Sequence, residues 1–130
     1  MSGPGSLLLV EDDPDIAEAV AHVLASDGWR VTWVEDGLRA LEHLEATEEL
    51  PSLVVLDLMM PRLDGRGFRA RQRAHPRFGH VPVLILSSDP DARAAADELG
   101  AAGCLAKPSS PGDLLATVRR LAGNRQRQTG

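Results

Sequence analysis

The chain alternates between short unbroken apolar runs and longer stretches whose apolar residues recur every three or four positions. Leu7–Val10, Leu53–Leu56, Val83–Leu86 and the shorter Cys104–Ala106 are runs of the first kind. Bounded by turn residues and lacking polar alternation, they read as strands of a parallel sheet buried on both faces. Arg30–Val34 adds a further strand. Between them, Ile16, Val20, Val23 and Leu24 mark a helix from about Pro14 that Gly28 stops. Asp36-Gly37 turns into a second helix carrying Leu38, Leu41 and Leu44, and the loop Met60–Gly65 leads to a third. The fourth covers about Asp91–Leu99 and ends at Gly100. The fifth opens at Ser110-Pro111, with Asp113 as a capping-box acid and Leu114, Leu115, Val118 and Leu121 on its apolar face.

This order of elements predicts an α/β fold, a doubly wound five-stranded parallel sheet with helices on both faces and right-handed crossovers. The third helix is the weak element. Phe68 is its one large apolar anchor, Gly67 disfavours helix, and arginines fill most of the rest, so a short or poorly anchored helix is expected. Residues 1–6 are expected to be a flexible leader and 123–130 a loose tail, leaving 7–122 as one domain.

Four of the strand runs end in polar residues that phosphoryl chemistry could use. Glu11-Asp12-Asp13 follow the first, Asp57 the third, Ser87 the fourth and Lys107 the fifth. Ligands of open parallel sheets bind in the crevice outside the carboxyl ends of the strands, so a carboxylate cluster, a hydroxyl and an ammonium share one edge. Phosphoryl transfer calls for such a set: an in-line nucleophile and neutralisation of charge on the equatorial oxygens. A carboxylate is a competent nucleophile, and paired carboxylates suit Mg²⁺. Glu11, Asp12 and Asp57 packed together without a cation would raise the pKa of at least one of them. Asp13, just before Pro14, reads as a helix N-cap. Among 14 Lys and Arg residues Lys107 is the one lysine, where a compact ammonium is least replaceable by a planar guanidinium.

Composition narrows the classes. A net charge of −5 over 130 residues argues against a dedicated nucleic-acid binder. One cysteine excludes an internal disulfide, and no Cys/His spacing suits a metal. The apolar runs are too short to span a bilayer and the start lacks signal-peptide features, so a cytoplasmic protein is expected. Arg62, Arg66, Arg69, Arg71, Arg73 and Arg77 crowd one segment, a solvated face or, through Arg66, Arg69 and Arg73, a docking surface for an acidic partner. Trp29 and Trp33 flank the second strand and are expected at the sheet's rim.

The segments Leu-Leu-Leu-Val-Glu-Asp-Asp-Pro, Leu-Val-Val-Leu-Asp-Leu-Met-Met-Pro-Arg-Leu-Asp-Gly, Leu-Ser-Ser and Leu-Gly-Ala-Ala-Gly-Cys-Leu-Ala-Lys-Pro resemble the receiver domain of two-component response regulators. The resemblance runs from Leu7 to about Ala122 in the family's order and spacing. It implies a flavodoxin-like sheet in the order 2-1-3-4-5, with Asp57 as phosphoacceptor, Ser87 as switch hydroxyl and Lys107 as phosphoryl contact. It implies Mg²⁺ held by Asp12 and Asp57, by the Met59 backbone carbonyl, and by Glu11 through water. A cis Lys107-Pro108 bond is implied as well.

The implied donor is a histidine kinase or phosphotransfer protein. The implied output is a protein partner read by the face of the fourth helix, fifth strand and fifth helix, with neither nucleic acid nor membrane involved. Such a domain is no classical enzyme; it promotes its own phosphorylation and dephosphorylation, as a monomer or a phosphorylation-dependent dimer. No output domain is visible after Ala122, so a stand-alone, chemotaxis-regulator-like receiver is expected. One departure stands out: the family's usual aromatic residue three positions before the lysine is Cys104 here, read as a small hydrophobe in preference to a redox sensor. The alternative function is a phosphorylation-independent docking module of receiver fold. An Asp-nucleophile phosphatase would want Asp-x-Asp where Met59 stands, and a flavin-binding relative would not place acids in its phosphate loop.

Overall fold

The computed structural model describes residues 5–129, with side-chain surroundings for 5–123. Ten elements alternate along the chain: β1 (Ser6–Val10), α1 (Pro14–Ser26), β2 (Arg30–Val34), α2 (Gly37–Ala46), β3 (Leu53–Leu56), α3 (Gly65–Ala74), β4 (Val83–Ser87), α4 (Ala92–Glu98), β5 (Gly103–Ala106) and α5 (Pro111–Thr129). The strands form one parallel sheet in the order β2-β1-β3-β4-β5. The doubly wound, flavodoxin-like order implied by the sequence is therefore the order observed.

Two cores result from the period-two geometry of the strands. Leu8, Val10, Val54, Leu56, Val83 and Ile85 pack with Ala40 and Leu44 of α2, Phe68 of α3 and Ala92, Ala95 and Ala96 of α4. Their neighbours Leu7, Leu9, Leu53, Val55, Leu84 and Leu86 pack with Ala17 and Leu24 of α1 and Leu114, Val118 and Ala122 of α5. A slip of one residue in any inner strand would exchange the two sets, so the helices on both faces fix the register.

Three strand-to-helix turns end in an aspartate cap. Asp13 accepts from the amides of Asp15 and Ile16, Asp36 from Arg39 and Asp64 from Gly67. Each satisfies helix N-terminal donors and favours the positive end of the helix dipole. In α5 the Ser110 hydroxyl takes the Asp113 amide at 3.1 Å.

The termini differ from expectation. Met1–Pro4 and Gly130 lie outside the described residues, but Ser6, placed with the leader from sequence, opens β1. It pairs with Arg30, and its carbonyl accepts from Ser52. A polar first residue hid a strand that backbone pairing defines. At the other end α5 runs to Thr129, where a loose tail from 123 was expected. Arginine and glutamine are good helix formers and sustain a helix without an apolar pattern.

The third helix is the larger correction. α3 is a full ten residues, and Phe68 is joined in the interior by Arg69 and Gln72, which are 7% and 0% exposed. Arg69 donates to the carbonyls of Leu99 and Gly100 at 2.9 Å each and to Gln72 Oε1 at 2.6 Å. Gln72 Nε2 in turn donates to Phe78 and Val81 carbonyls at 3.1 and 2.9 Å. Polar side chains thus supply the anchoring that an apolar count misses. Arg73 also reaches the Leu99 carbonyl and Arg66 pairs with Glu98, so the three arginines proposed as a docking face bind α4 from within the molecule.

Gln72→Ala would take the side-chain donor from the Val81 carbonyl and the acceptor from the Arg69 guanidinium beside a new void, while the Phe78 carbonyl keeps the Val81 amide. A loss of about 2–4 kcal/mol in urea unfolding is expected, against no more than about 0.5 kcal/mol for exposed Arg71→Ala. Asp36 gives a pH-dependent counterpart. Burial works against its carboxylate, but the Arg39 amide and the Arg62 guanidinium outweigh it and hold the carboxyl below its ordinary value. The stabilisation is present above an unfolded-state pKa of about 3.9 and is lost as pH falls through the lower folded value. Unfolding scans of wild type and Asp36→Asn should therefore converge as pH drops below about 4.

Candidate functional site

β1 and β3 are hydrogen-bonded neighbours whose last pair is Val10 and Leu56, so Glu11 and Asp57 leave the sheet side by side. Ligand oxygens of Glu11, Asp12 and Asp57 lie within 4.8 Å of one another. Glu11 and Asp57 are buried and Asp12 is exposed. Lys107 arrives from the end of β5, on the far side of β4, and bridges the two buried acids. Its Nζ is 2.6 Å from Glu11 Oε1 and 3.3 Å from Asp57 Oδ2. Burial would depress this ammonium, but the Glu11 and Asp57 carboxylates prevail and hold it above its ordinary value. At Glu11 burial is the larger influence; it and the Asp57 charge push the carboxyl up, against the Lys107 and Asp13 hydrogen bonds. One acid of the cluster is raised, as expected from sequence, but burial and not crowding is the main cause, the Asp57 charge adding less.

The surrounding backbone is closely fitted. The amides of Asp13 and Met59 donate to Glu11 Oε2 and Asp57 Oδ1 at 3.1 and 3.3 Å. A Cβ on Gly65 would come within 2.6 Å of the Asp57 carbonyl and 2.8 Å of Leu58 Cα, so a glycine is required where α3 starts beside Asp57. Asp13 is the cap of α1, as read from sequence, and Lys107-Pro108 is cis. The Met59 side chain is exposed.

Ser87 ends β4, 1% exposed, and its carbonyl accepts the Lys107 amide at 3.0 Å. Its hydroxyl accepts from the Asp89 amide at 3.1 Å and, among the described residues, bonds to no carboxylate. Asp89 in turn receives the Asp91 amide, and its carbonyl accepts from Ala92 at the first turn of α4. The hydroxyl is therefore linked to the start of α4 through the backbone. No pattern in the sequence pointed to Asp89, because its part depends on a turn. Cys104, in β5, packs half-buried against the core beneath α2–α4, and burial pushes its thiol up. A thiol so protonated packs as a small hydrophobe.

The donor set is hard oxygen throughout, which suits a divalent cation such as Mg²⁺, and the fixed ammonium beside Asp57 suits phosphoryl oxygens. An apolar cavity of about 560 Å³ lies beside Lys107, between α1 and α5, lined by Ile16, Val20, Val23, Leu86, Pro108 and Leu114. Among the described residues no helix is long and apolar enough to cross a membrane.

A parallel sheet of this order, with three acids and one ammonium at the strand ends, defines a phosphoacceptor signalling module. The chain belongs to the response regulator receiver domain family, whose model matches residues 7–119. It is 40% identical over 124 residues to the transcriptional regulatory protein GltR of Pseudomonas aeruginosa, covering 93% of this chain and 50% of that one. It is 35% identical over 129 residues to response regulator Rre1 of Synechocystis, covering 97% and 55%. The chain thus spans about half the length of the curated relatives it matches. Among solved structures, the receiver domain of sensor histidine kinase PA1611 of Pseudomonas aeruginosa superposes with a TM-score of 0.84 at 29% identity, covering 93% of this chain and 99% of that one. That structure carries a magnesium ion in its active-site cleft.

Three carboxylates facing one ammonium leave uncompensated negative charge. Asp57→Asn, assayed without divalent cation, should raise the melting temperature by about 3–6 °C, the equivalent of about 1 kcal/mol of relieved repulsion. An unchanged or lower value would mean that the Lys107 pairing outweighs the repulsion among the acids.

Proposed function

We propose that this receiver takes a phosphoryl group onto Asp57 in a Mg²⁺-dependent reaction and uses it to change its affinity for a protein partner. The observation that carries the reading is the convergence of Glu11, Asp12 and Asp57, with the Lys107 ammonium paired to Glu11 and Asp57. Asp57 is the nucleophile. One of its carboxylate oxygens forms the new P–O bond while the donor's P–N bond breaks, and the electron pair leaves with the donor imidazole, which takes up a proton. Lys107 shifts from pairing two carboxylates to holding a phosphoryl oxygen, where its charge meets the charge spread in the transition state. Asp12 and Asp57, the Met59 carbonyl and, through water, Glu11 would hold the cation, which when bound neutralises phosphoryl charge. The donor is a histidine kinase or phosphotransfer protein, and the apolar cavity between α1 and α5 gives it a surface next to the nucleophile.

Output follows from the Ser87–Asp89 link. If the Ser87 hydroxyl turns to the phosphoryl group, the Asp89 amide loses its acceptor and the start of α4 is freed. The cap residue of α4, Asp91, makes no side-chain capping bond, whereas its end is tied to Arg69. The phosphorylated state would then shift the face of α4, β5 and α5 by favouring a packing already accessible to it. With Cys104 in place of an aromatic residue, β5 offers no bulky ring to report the change, so the start of α4 carries more of the signal.

Intact-mass measurement after incubation with acetyl phosphate or phosphoramidate tests the reading. One phosphoryl adduct is expected, absent without Mg²⁺ and absent in Asp57→Asn. A folded protein that takes no adduct in excess Mg²⁺, from these donors or from histidine kinases, would instead be a phosphorylation-independent docking module.

A further inference from the structure

Trp33 is out of place by burial alone. It lies on the edge strand β2, 44% exposed, whereas Trp29, just before the same strand, is 5% exposed. Its indole nevertheless makes one well-formed bond: Nε1 donates to the backbone carbonyl of Glu11 at 2.7 Å. The pairing of β1 with β2 closes at Val10 and Val34, and the Glu11 amide still donates to the Val34 carbonyl at 3.1 Å. Beyond that point the ladder offers the Glu11 carbonyl no strand partner, and the Trp33 side chain provides the donor. Glu11 is thereby held through its amide by Val34, through its carbonyl by Trp33 and through its carboxylate by Lys107 and the Asp13 amide.

The carbonyl that Trp33 binds belongs to the peptide joining Glu11 to Asp12. Both residues contribute to the acid cluster, and Asp12 is its exposed member. Fixing that peptide plane restricts how far the two carboxylates can turn relative to each other. A site whose ligands are ordered beforehand loses less conformational freedom when a cation binds. Mg²⁺ makes the effect larger, because it demands near-octahedral geometry from its ligands.

We propose that Trp33 is a positioning residue for the cation site, acting through the Glu11–Asp12 peptide, and that its environment responds to the cation. The inference rests on the reading that the acid cluster binds Mg²⁺. Trp33→Phe keeps an aromatic ring and removes the donor. Calorimetric titration of the full chain with MgCl₂ should show its Kd raised about three- to tenfold, with the melting temperature in EDTA within about 2 °C of wild type. In Trp29→Phe, where Trp33 is the single tryptophan, the emission should change on Mg²⁺ addition and saturate at the calorimetric Kd. Wild-type Kd in Trp33→Phe, or emission that does not respond, overturns the positioning role while leaving the cation reading intact. A folded wild type that gives no Mg²⁺ isotherm overturns both, so the two failures are distinguishable.

Discussion

The ammonium of Lys107 is the contact on which the site depends. It lies between Glu11 and Asp57, whose carboxylates leave adjacent strands, and it comes from the chain beyond β5, two positions across the sheet. Without it three acids would face one another with no internal counter-charge. With it, the ends of β1, β3 and β5 are joined by one side chain. Burial strengthens each of these interactions, because water does not screen them. The same burial raises Glu11, so the resting site is held together and charge-frustrated at once, a state that a cation or an altered charge on Asp57 relieves.

That frustration has a mechanical neighbour. The guanidinium of Arg69 ties α3 to the carbonyls at the end of α4, and Gln72 ties α3 to the loop before β4. Arg69 holds the end of α4, while its beginning hangs on the turn through Asp89 and Ser87. A short alanine-rich helix tied at one end by Arg69 and at the other only through this turn is the element on which the proposed change at Ser87 would act. Most of the segment's arginines make contacts within the molecule: Arg62 with Asp36, Arg66 with Glu98, Arg77 with the carbonyls of Leu44 and Thr47, while Arg71 is exposed.

Much of this was legible beforehand. The inner strands are continuous apolar runs because both faces are covered, and their ends bring polar residues to one edge. That Glu11, Asp12, Asp57 and Lys107 would come together there could be read off for that reason, as could the cap at Asp13. α3 could not, because its anchors are a buried arginine and a buried glutamine, residues that sequence patterns assign to solvent. Their acceptors are carbonyls of Leu99, Gly100, Phe78 and Val81, which no side-chain pattern encodes. Trp33 escaped for the same reason: its partner is a backbone oxygen 22 residues away.

The sequence by itself determined the alternation of strands and helices, the two-faced sheet and the identity of the groups at the strand ends. Those properties follow from local periodicity and from the rule that strand ends of a parallel sheet form one edge. Tertiary structure alone decided which of those groups meet: that Lys107 spans two acids, that Ser87 faces Asp89 and not the carboxylates, and that α3 is held by buried polar side chains. Such contacts depend on backbone carbonyls and amides brought together across the fold. Every residue carries those groups alike, so composition and spacing hold no record of where they come to rest.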